Sequence, residues 1–286
     1  MELYNPAVIR PLLERHGFHF SKSMGQNFLV KEWVPQRIVF AAGIDNDCGV
    51  LEIGPGIGVL TRELCAAAGR VVSVELDRSL LPVLQETLAD FDNISVISGD
   101  VLKLDLPKLV SEEFSGLKPV VCANLPYNIT TPLLQALLEP MLFSEITVMI
   151  QKEVAQRICA RPGTSEYGAF TVFVDYYAEP AICFDVSPDC FFPQPKVTST
   201  VIRLRRKPEP SDLLDRDLLF SVTRSVFAHR RKTLLNGLSP LFAERLSKQQ
   251  IADVIQDLGY APTVRGETLS LKEFISLSNR FHELIQ

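Results

Sequence analysis

Through the first two thirds of the chain, short apolar runs alternate with longer amphipathic stretches. The spacing predicts strands over 48–53, 71–75, 94–98, 119–122 and 145–150, with helices over 58–68, 79–89, 107–115 and 131–139 between them. The last of these helices is expected to open with Thr131 and Pro132 at its N-cap and first position. A helical lead-in containing Trp33, Ile38 and Val39 precedes the first strand and stops at Gly43. Such alternation of strand and helix is the rhythm of a parallel sheet covered on both faces. The pattern then changes. Two strands, 181–187 and 197–204, are joined by a Pro-rich loop without a convincing helix, and they are expected to pair as an antiparallel hairpin on the sheet edge. Beyond 205–210 the chain reads as helices only, near 212–228, 230–238, 248–258 and 271–284, with Gly259 as a C-cap candidate. The expected domains are therefore 1–207, an α/β unit with a Rossmann-like sheet, and 208–286, a small all-helical unit.

A chain of 286 residues with 47% hydrophobic and 22% charged positions can bury one large core or two ordinary ones. No apolar run reaches the length of a membrane span, and the opening MELYNPAVIR lacks the pattern of a secretory signal, so a cytoplasmic protein is expected. The six cysteines contain no C-x-x-C pair and read as reduced, mostly buried small hydrophobes. The net charge of −5 is unevenly spread: residues 45–118 hold 13 acidic against 6 basic side chains, while residues 196–236 hold 10 basic against 4 acidic. One part of the surface is thus basic, and the local field decides which polyanions it attracts, although most charge runs are simply solvated.

The first strand runs into Gly54-Pro55-Gly56-Ile57-Gly58, directly before a helix. Glycines allow the sharp turn and the close approach of a ligand over the helix N-terminus, but a tight strand-to-helix turn needs them for structural reasons too. The second strand ends in Glu75, 21 residues after Gly54, where an α/β fold places a carboxylate to accept ribose hydroxyls. Asp100 follows the third strand, placed to meet an adenine edge, with a surface turn residue as the alternative. These features suit an adenosine-containing cofactor. Val59 stands where the third glycine of a dinucleotide fingerprint would fall, which favours S-adenosylmethionine over NAD. The fourth strand ends in Asn124-Leu125-Pro126-Tyr127. An aromatic amine is a poor nucleophile because its lone pair is delocalised. An Asn side-chain oxygen and the next backbone carbonyl can accept its two N–H bonds and localise that pair, while Pro126 stiffens the turn and Tyr127 offers a face on which the base stacks.

Seven segments in order, MGQNFL at 24–29, EIGPGIG at 52–58, VELD at 74–77, NLPYNITTPLL at 124–134, QKEVAQR at 151–157, FFPQPKV at 191–197 and HRRKTLLN at 229–236, resemble the rRNA adenine N6,N6-dimethyltransferases. Within that family the chain most resembles the KsgA-type branch, which modifies two adjacent adenines in the 3′-terminal hairpin of small-subunit (16S) rRNA. The resemblance implies a class I methyltransferase fold, S-adenosylmethionine as cofactor, the small ribosomal subunit as partner, and no required metal or oligomer. It implies cofactor contacts at Asn27, Leu29, Gly54, Gly56, Glu75, Leu76, Asp100, Val101 and Asn124. It implies that Asn124 and the Leu125 carbonyl hold the target amine within the Pro126 turn, with Tyr127 and Phe191 stacking on the base. For Phe191 the other reading is a core aromatic. From the charge excess of this segment, Arg230, Arg231 and Lys232 are expected to spread over a surface that RNA phosphates approach, the alternative being that Arg230 and Arg231 are tied to acidic residues of the helical unit such as Asp253 or Asp257, and His229 beside them reads as a phosphate contact and not an acid or base. Met24 and Ala123 depart from the residues familiar at those places, Phe and Gly, and both keep an apolar or small side chain. The Erm-type branch, acting on large-subunit rRNA, shares the chemistry, and a non-catalytic RNA-binding assembly factor shares the fold. The amine clamp argues against the latter. His16 and His19 have a metal-like spacing without further ligands and read as a solvated helix end.

Overall fold

Glycine and buried β-branched residues set the frame. In the computed structural model, which describes residues 2–18 and 26–286, the lead-in comprises helix α1 (Pro6–Arg15), strand β1 (Phe28–Leu29) and helix α2 (Trp33–Ala42). Gly43 caps α2 in the left-handed region at φ 59°. The alternating segment follows as β2 (Cys48–Ile53), α3 (Val59–Ala67), β3 (Arg70–Glu75), α4 (Leu81–Thr87), β4 (Ile94–Ser98), α5 (Leu106–Glu113), β5 (Lys118–Asn124), α6 (Thr130–Leu138) and β6 (Glu145–Gln151). The start of α6 differs from expectation. It begins at Thr130 with Ile129 at the N-cap, because the Thr130 hydroxyl bonds back to the Pro126 carbonyl at 3.1 Å and draws the preceding turn into the helix.

Next come α7 (Lys152–Ile158), α8 (Ala169–Tyr177), β7 (Ala178–Val186), β8 (Phe191–Phe192) and β9 (Ser199–Arg206), then α9 (Arg216–Ala228), α10 (Leu234–Phe242), α11 (Lys248–Asp257) and α12 (Leu271–Ile285). The main sheet has the order β4-β3-β2-β5-β6-β9-β7. β2 to β6 pair in parallel, as from Val50 with Val71 to Val120 with Glu145. β9 runs antiparallel to β6 from Glu145↔Arg205 to Gln151↔Ser199, and β7 lies outside it as the edge. The two late strands are therefore neighbours, and the Pro-rich connection between them carries β8, which pairs antiparallel with β1 as a separate small sheet.

The chain divides into two compact units, one of residues up to Ala155 together with Glu179–Arg206, the other of Gln156–Ala178 with Lys207–Gln286. The second unit takes in α8, a helix that the sequence pattern does not announce. Its sequence AFTVFVDYY is β-branched and aromatic, and burial overrides that strand preference: Val172, Phe173, Val174, Tyr176 and Tyr177 are all buried. Phe220 of α9 completes the packing at 5.3 Å from the rings of both Phe173 and Tyr176. Among the described residues no helix is long and apolar enough to cross a membrane. Cys48, Cys65, Cys122 and Cys190 are buried, and none of the six is in a disulfide.

The approach to β3 is close at the backbone level. A Cβ at Gly69 would lie 2.3 Å from the carbonyl oxygen of Asn46, and backbone cannot give way as a flexible side chain can. Gly69→Ala is expected to lower stability by about 1–3 kcal/mol, read as a lower denaturation midpoint; an unchanged midpoint contradicts the close approach.

Candidate active site

In the main sheet the strand order reverses between β2 and β5, and in open α/β sheets a ligand crevice forms outside the carboxyl ends of the strands at that reversal. A cavity of about 230 Å³ lies there, walled by the ends of β2, β3 and β5, the turn after β4, and Gln26–Leu29. The glycine turn builds one wall. Gly54, Gly56 and Gly58 have φ of 68°, 62° and 88°, a region that other residues rarely adopt. A Cβ at Gly56 would also come within 3.1 Å of the Phe28 ring. The turn thus requires the glycines, and at Gly56 the packed Phe28 ring leaves little room for a side chain as well.

Glu75, at the end of β3, is 5% exposed. Its carboxylate accepts the Asp77 N–H at 2.8 Å and the Gly56 N–H at 3.3 Å, which ties the strand end to the glycine turn. Burial holds its pKa above the ordinary carboxylate range despite these bonds. Asp100 accepts the Leu102 N–H at 3.1 Å and so fixes the turn that presents Val101 to the cavity. Gln26 donates to Asp77 at 2.6 Å, linking the lead-in to the turn after β3. Met24 and His19 lie outside the described residues.

At the end of β5, the Leu125 N–H bonds the Met149 carbonyl of β6 at 3.1 Å, which sets the direction of the turn. The Pro126 carbonyl is taken by Thr130. Among the described residues the Asn124 side chain and the Leu125 carbonyl have no hydrogen-bond partner in the protein, so two acceptors remain unspent in the cavity wall. The Tyr127 hydroxyl and Ser199 Oγ of β9 are 2.6 Å apart. That bond anchors the ring's far end, and burial pushes the phenol upward in pKa.

The cavity therefore gathers Asn27, Leu29, Gly54, Gly56, Glu75, Leu76, Asp100, Val101, Asn124, Leu125, Pro126 and Tyr127. Phe191 is not among its lining residues. It pairs with Leu29 across the β1–β8 ladder, is 2% exposed, and belongs to the hydrophobic core, because the two-residue strand turns it inward. Arg230, Arg231 and Lys232 lie elsewhere, after α9. Arg230 bonds Glu267 at 2.9 Å and the Thr164 carbonyl at 2.8 Å, while Arg231 and Lys232 are exposed and unpaired among the described residues. His16 is held by Glu86 at 2.8 Å. Sequence reasoning missed two residues. Ser199 left no signal, since its partner is 72 positions away. Glu52 did leave one: it is a carboxylate in a strand buried at every position.

The family model for ribosomal RNA adenine dimethylase matches residues 17–278. The chain belongs to the ribosomal RNA adenine dimethylase family. It is 45% identical to the ribosomal RNA small subunit methyltransferase A of Geobacillus thermodenitrificans, over 100% of this chain and 99% of that one. The protein of the same name from Alkaliphilus metalliredigens is 44% identical over 97% of each. Among solved structures, a dimethyladenosine transferase from Plasmodium falciparum superposes with a TM-score of 0.76 at 28% identity, covering 90% of this chain and 98% of that one. The 23S rRNA methyltransferase ErmE gives 0.67 at 28% identity, covering 91% and 100%.

Adenine dimethylases of this family use S-adenosylmethionine, and the cavity fits it. The glycine turn lines the cavity, Glu75 offers a carboxylate to a ribose, and Asn124 keeps an unspent acceptor. Glu75→Ala removes the carboxylate's charge-assisted hydrogen bonds, each about 1.5–3 kcal/mol. Titration calorimetry is expected to show at least about tenfold weaker cofactor binding; unchanged affinity would sink this role for Glu75.

Proposed function

We propose that the protein dimethylates the N6 amines of two adjacent adenines in the 3′-terminal hairpin of small-subunit rRNA during ribosome biogenesis. The observation that carries the chemistry is the pair of unspent acceptors, the Asn124 side chain and the Leu125 carbonyl, in the wall of a cavity that also holds Glu75. When bound, S-adenosylmethionine supplies a methyl group made electrophilic by its sulfonium. The two acceptors take the N–H bonds of the incoming amine, so its lone pair is localised and aimed. Tyr127, its hydroxyl anchored by Ser199, presents a ring for stacking. A strong base is unnecessary, since the methylated amine is acidic and loses its proton to water. Asn27, Leu29, Gly54, Gly56, Leu76, Asp100 and Val101 are the proposed cofactor contacts alongside Glu75. Phe191 is buried beside β1 and does not line the cavity, so the proposed stacking surface is Tyr127.

The choice of the small subunit is supported by full-length similarity at about 45% to proteins named for it. The large-subunit alternative rests on the superposition with ErmE at 28% identity. Acting on ribosomal subunits, the protein is proposed to work in the cytoplasm. The helical C-terminal unit is proposed to hold RNA through Arg231 and Lys232, which are exposed and uncommitted, with Arg230 bound to Glu267 as their support.

Two outcomes test the proposal. Asn124→Ala is expected to leave cofactor affinity nearly unchanged while methylation of small subunits slows by at least ~100-fold, the scale for one oriented group in a preorganised site. Normal turnover would refute the amine clamp. Replacing Arg231 and Lys232 together with Ala is expected to weaken subunit binding and lower the slope of its salt dependence by about 2, with the melting temperature unchanged. An unaltered slope would place the RNA surface elsewhere.

A further inference from the structure

Trp33, at the start of α2, is 43% exposed although it packs against the Phe184 ring of β7 at 6.2 Å. Arg37, one turn further along the helix, lies over that same Phe184 ring at 4.3 Å. Lys31, exposed, stands just before the helix. On α1, Arg10 lies 4.9 Å over the ring of Phe192 in β8. Phe192 is the partner of Phe28 in the β1–β8 ladder, and Phe28 and Leu29 line the cavity. Trp33 follows Leu29 by four residues, so at most ~14 Å of chain separates it from the cavity wall. These side chains therefore form a strip that leads outward from the cavity, from Arg10 on Phe192 past Lys31 and Trp33 to Arg37 on Phe184.

The cations of the strip are uncommitted. Arg10, Lys31 and Arg37 are exposed, and among the described residues none has a carboxylate within ion-pair distance. Their neighbours differ: Arg15 of α1 is held by Glu86, and Arg203 of β9 donates to the Ala41 carbonyl at 3.4 Å. Glu32, between Lys31 and Trp33, accepts the Gln36 amide at 3.3 Å. Cations laid over aromatic rings beside an exposed tryptophan let bases stack while phosphates meet positive charge, which is how single strands are held without reading their sequence. An apolar protein surface docked here would instead desolvate three cations without giving them partners.

We propose that this strip carries the unpaired nucleotides next to the target adenine, with a base stacked on Trp33 and phosphates on Arg10, Lys31 and Arg37. The proposal rests on the protein being a small-subunit rRNA methyltransferase. Drawing one base into the cavity pulls its neighbours out of their own stack, and a tryptophan that restacks one of them offsets part of that cost. The C-terminal cations Arg231 and Lys232 need only phosphates, whereas this strip needs unstacked bases close to the reacting one.

Trp33→p-benzoylphenylalanine, irradiated while bound to small subunits that lack the modification, is expected to crosslink to RNA in the hairpin that holds the target adenines. Trp33→Ala is expected to weaken subunit binding about tenfold, the scale of one lost base–aromatic stack, and Trp33→Phe to restore most of it. Lys31→Ala combined with Arg37→Ala is expected to lower the slope of log affinity against log salt by about 1.4, the single-strand value for two phosphate contacts. None of these residues lines the cavity, so S-adenosylmethionine affinity is expected to stay at the wild-type value in every variant. That measurement also shows that each variant is folded, and the Lys31 and Arg37 pair gives a reading even if Trp33→Ala folds poorly.

Crosslinks from position 33 only to ribosomal protein, or only to RNA outside that hairpin, overturn the proposal. So does a bound protein that gives no crosslink, or wild-type affinity and salt slope in all the variants. Each of these results, obtained while wild type methylates small subunits normally, defeats the strip alone. Failure of wild type to bind or methylate small subunits defeats the functional reading on which the strip rests.

Discussion

A crevice opens where β2 and β5 lie side by side and their following segments leave toward opposite faces of the sheet. Nothing in the sheet itself can fill it, and the rest of the site is the chain's way of lining it. The turn after β2 must leave the strand at once and enter α3, which three glycines at positive φ permit and side-chain-bearing residues would resist. Glu75 then clamps that turn through the Gly56 N–H, so the end of β3 and the turn after β2 form one rigid wall. The opposite wall is fixed by the Leu125 N–H on β6, which holds the residues after β5 open toward the cavity.

Electrostatics gives this crevice its selectivity. Its buried charges are carboxylates, Glu52 and Glu75, and burial raises the pKa of both. A positively charged ligand relieves that penalty, whereas a dinucleotide pyrophosphate would add to it. The basic side chains are elsewhere in the sequence, concentrated after residue 196, where Arg231 and Lys232 are exposed and unpaired among the described residues. A protein of net charge −5 can thus serve an RNA substrate and a cationic cofactor because the two signs are segregated along the chain.

Much of this was readable beforehand where local chemistry dictates structure. The strands at 48–53 and 94–98 have the expected bounds because their apolar runs are cut off by turn residues. Glu75 and Asn124 were identifiable because each ends a strand at a fixed distance from a glycine turn or beside a proline. What stayed hidden depends on contacts distant in sequence. α8 is helical only because its aromatic residues are buried, and no local pattern says so. Phe191 turns into the core through pairing with Leu29, 162 positions earlier. Arg230 reads as one of three equivalent cations until Glu267 is seen against it. Glu52 was legible in principle as the charged residue within a wholly buried strand.

The central claim is that this geometry transfers methyl groups to adenine amines of small-subunit rRNA. Its most direct test is to incubate the protein with methyl-labelled cofactor and, separately, with small subunits lacking the modification, large subunits, or duplex DNA, and then to map the labelled bases. The account predicts label as N6,N6-dimethyladenosine on two adjacent adenines of the 3′-terminal hairpin of the small-subunit RNA. Label confined to large-subunit RNA or to DNA, or no transfer to any of the three, would contradict it.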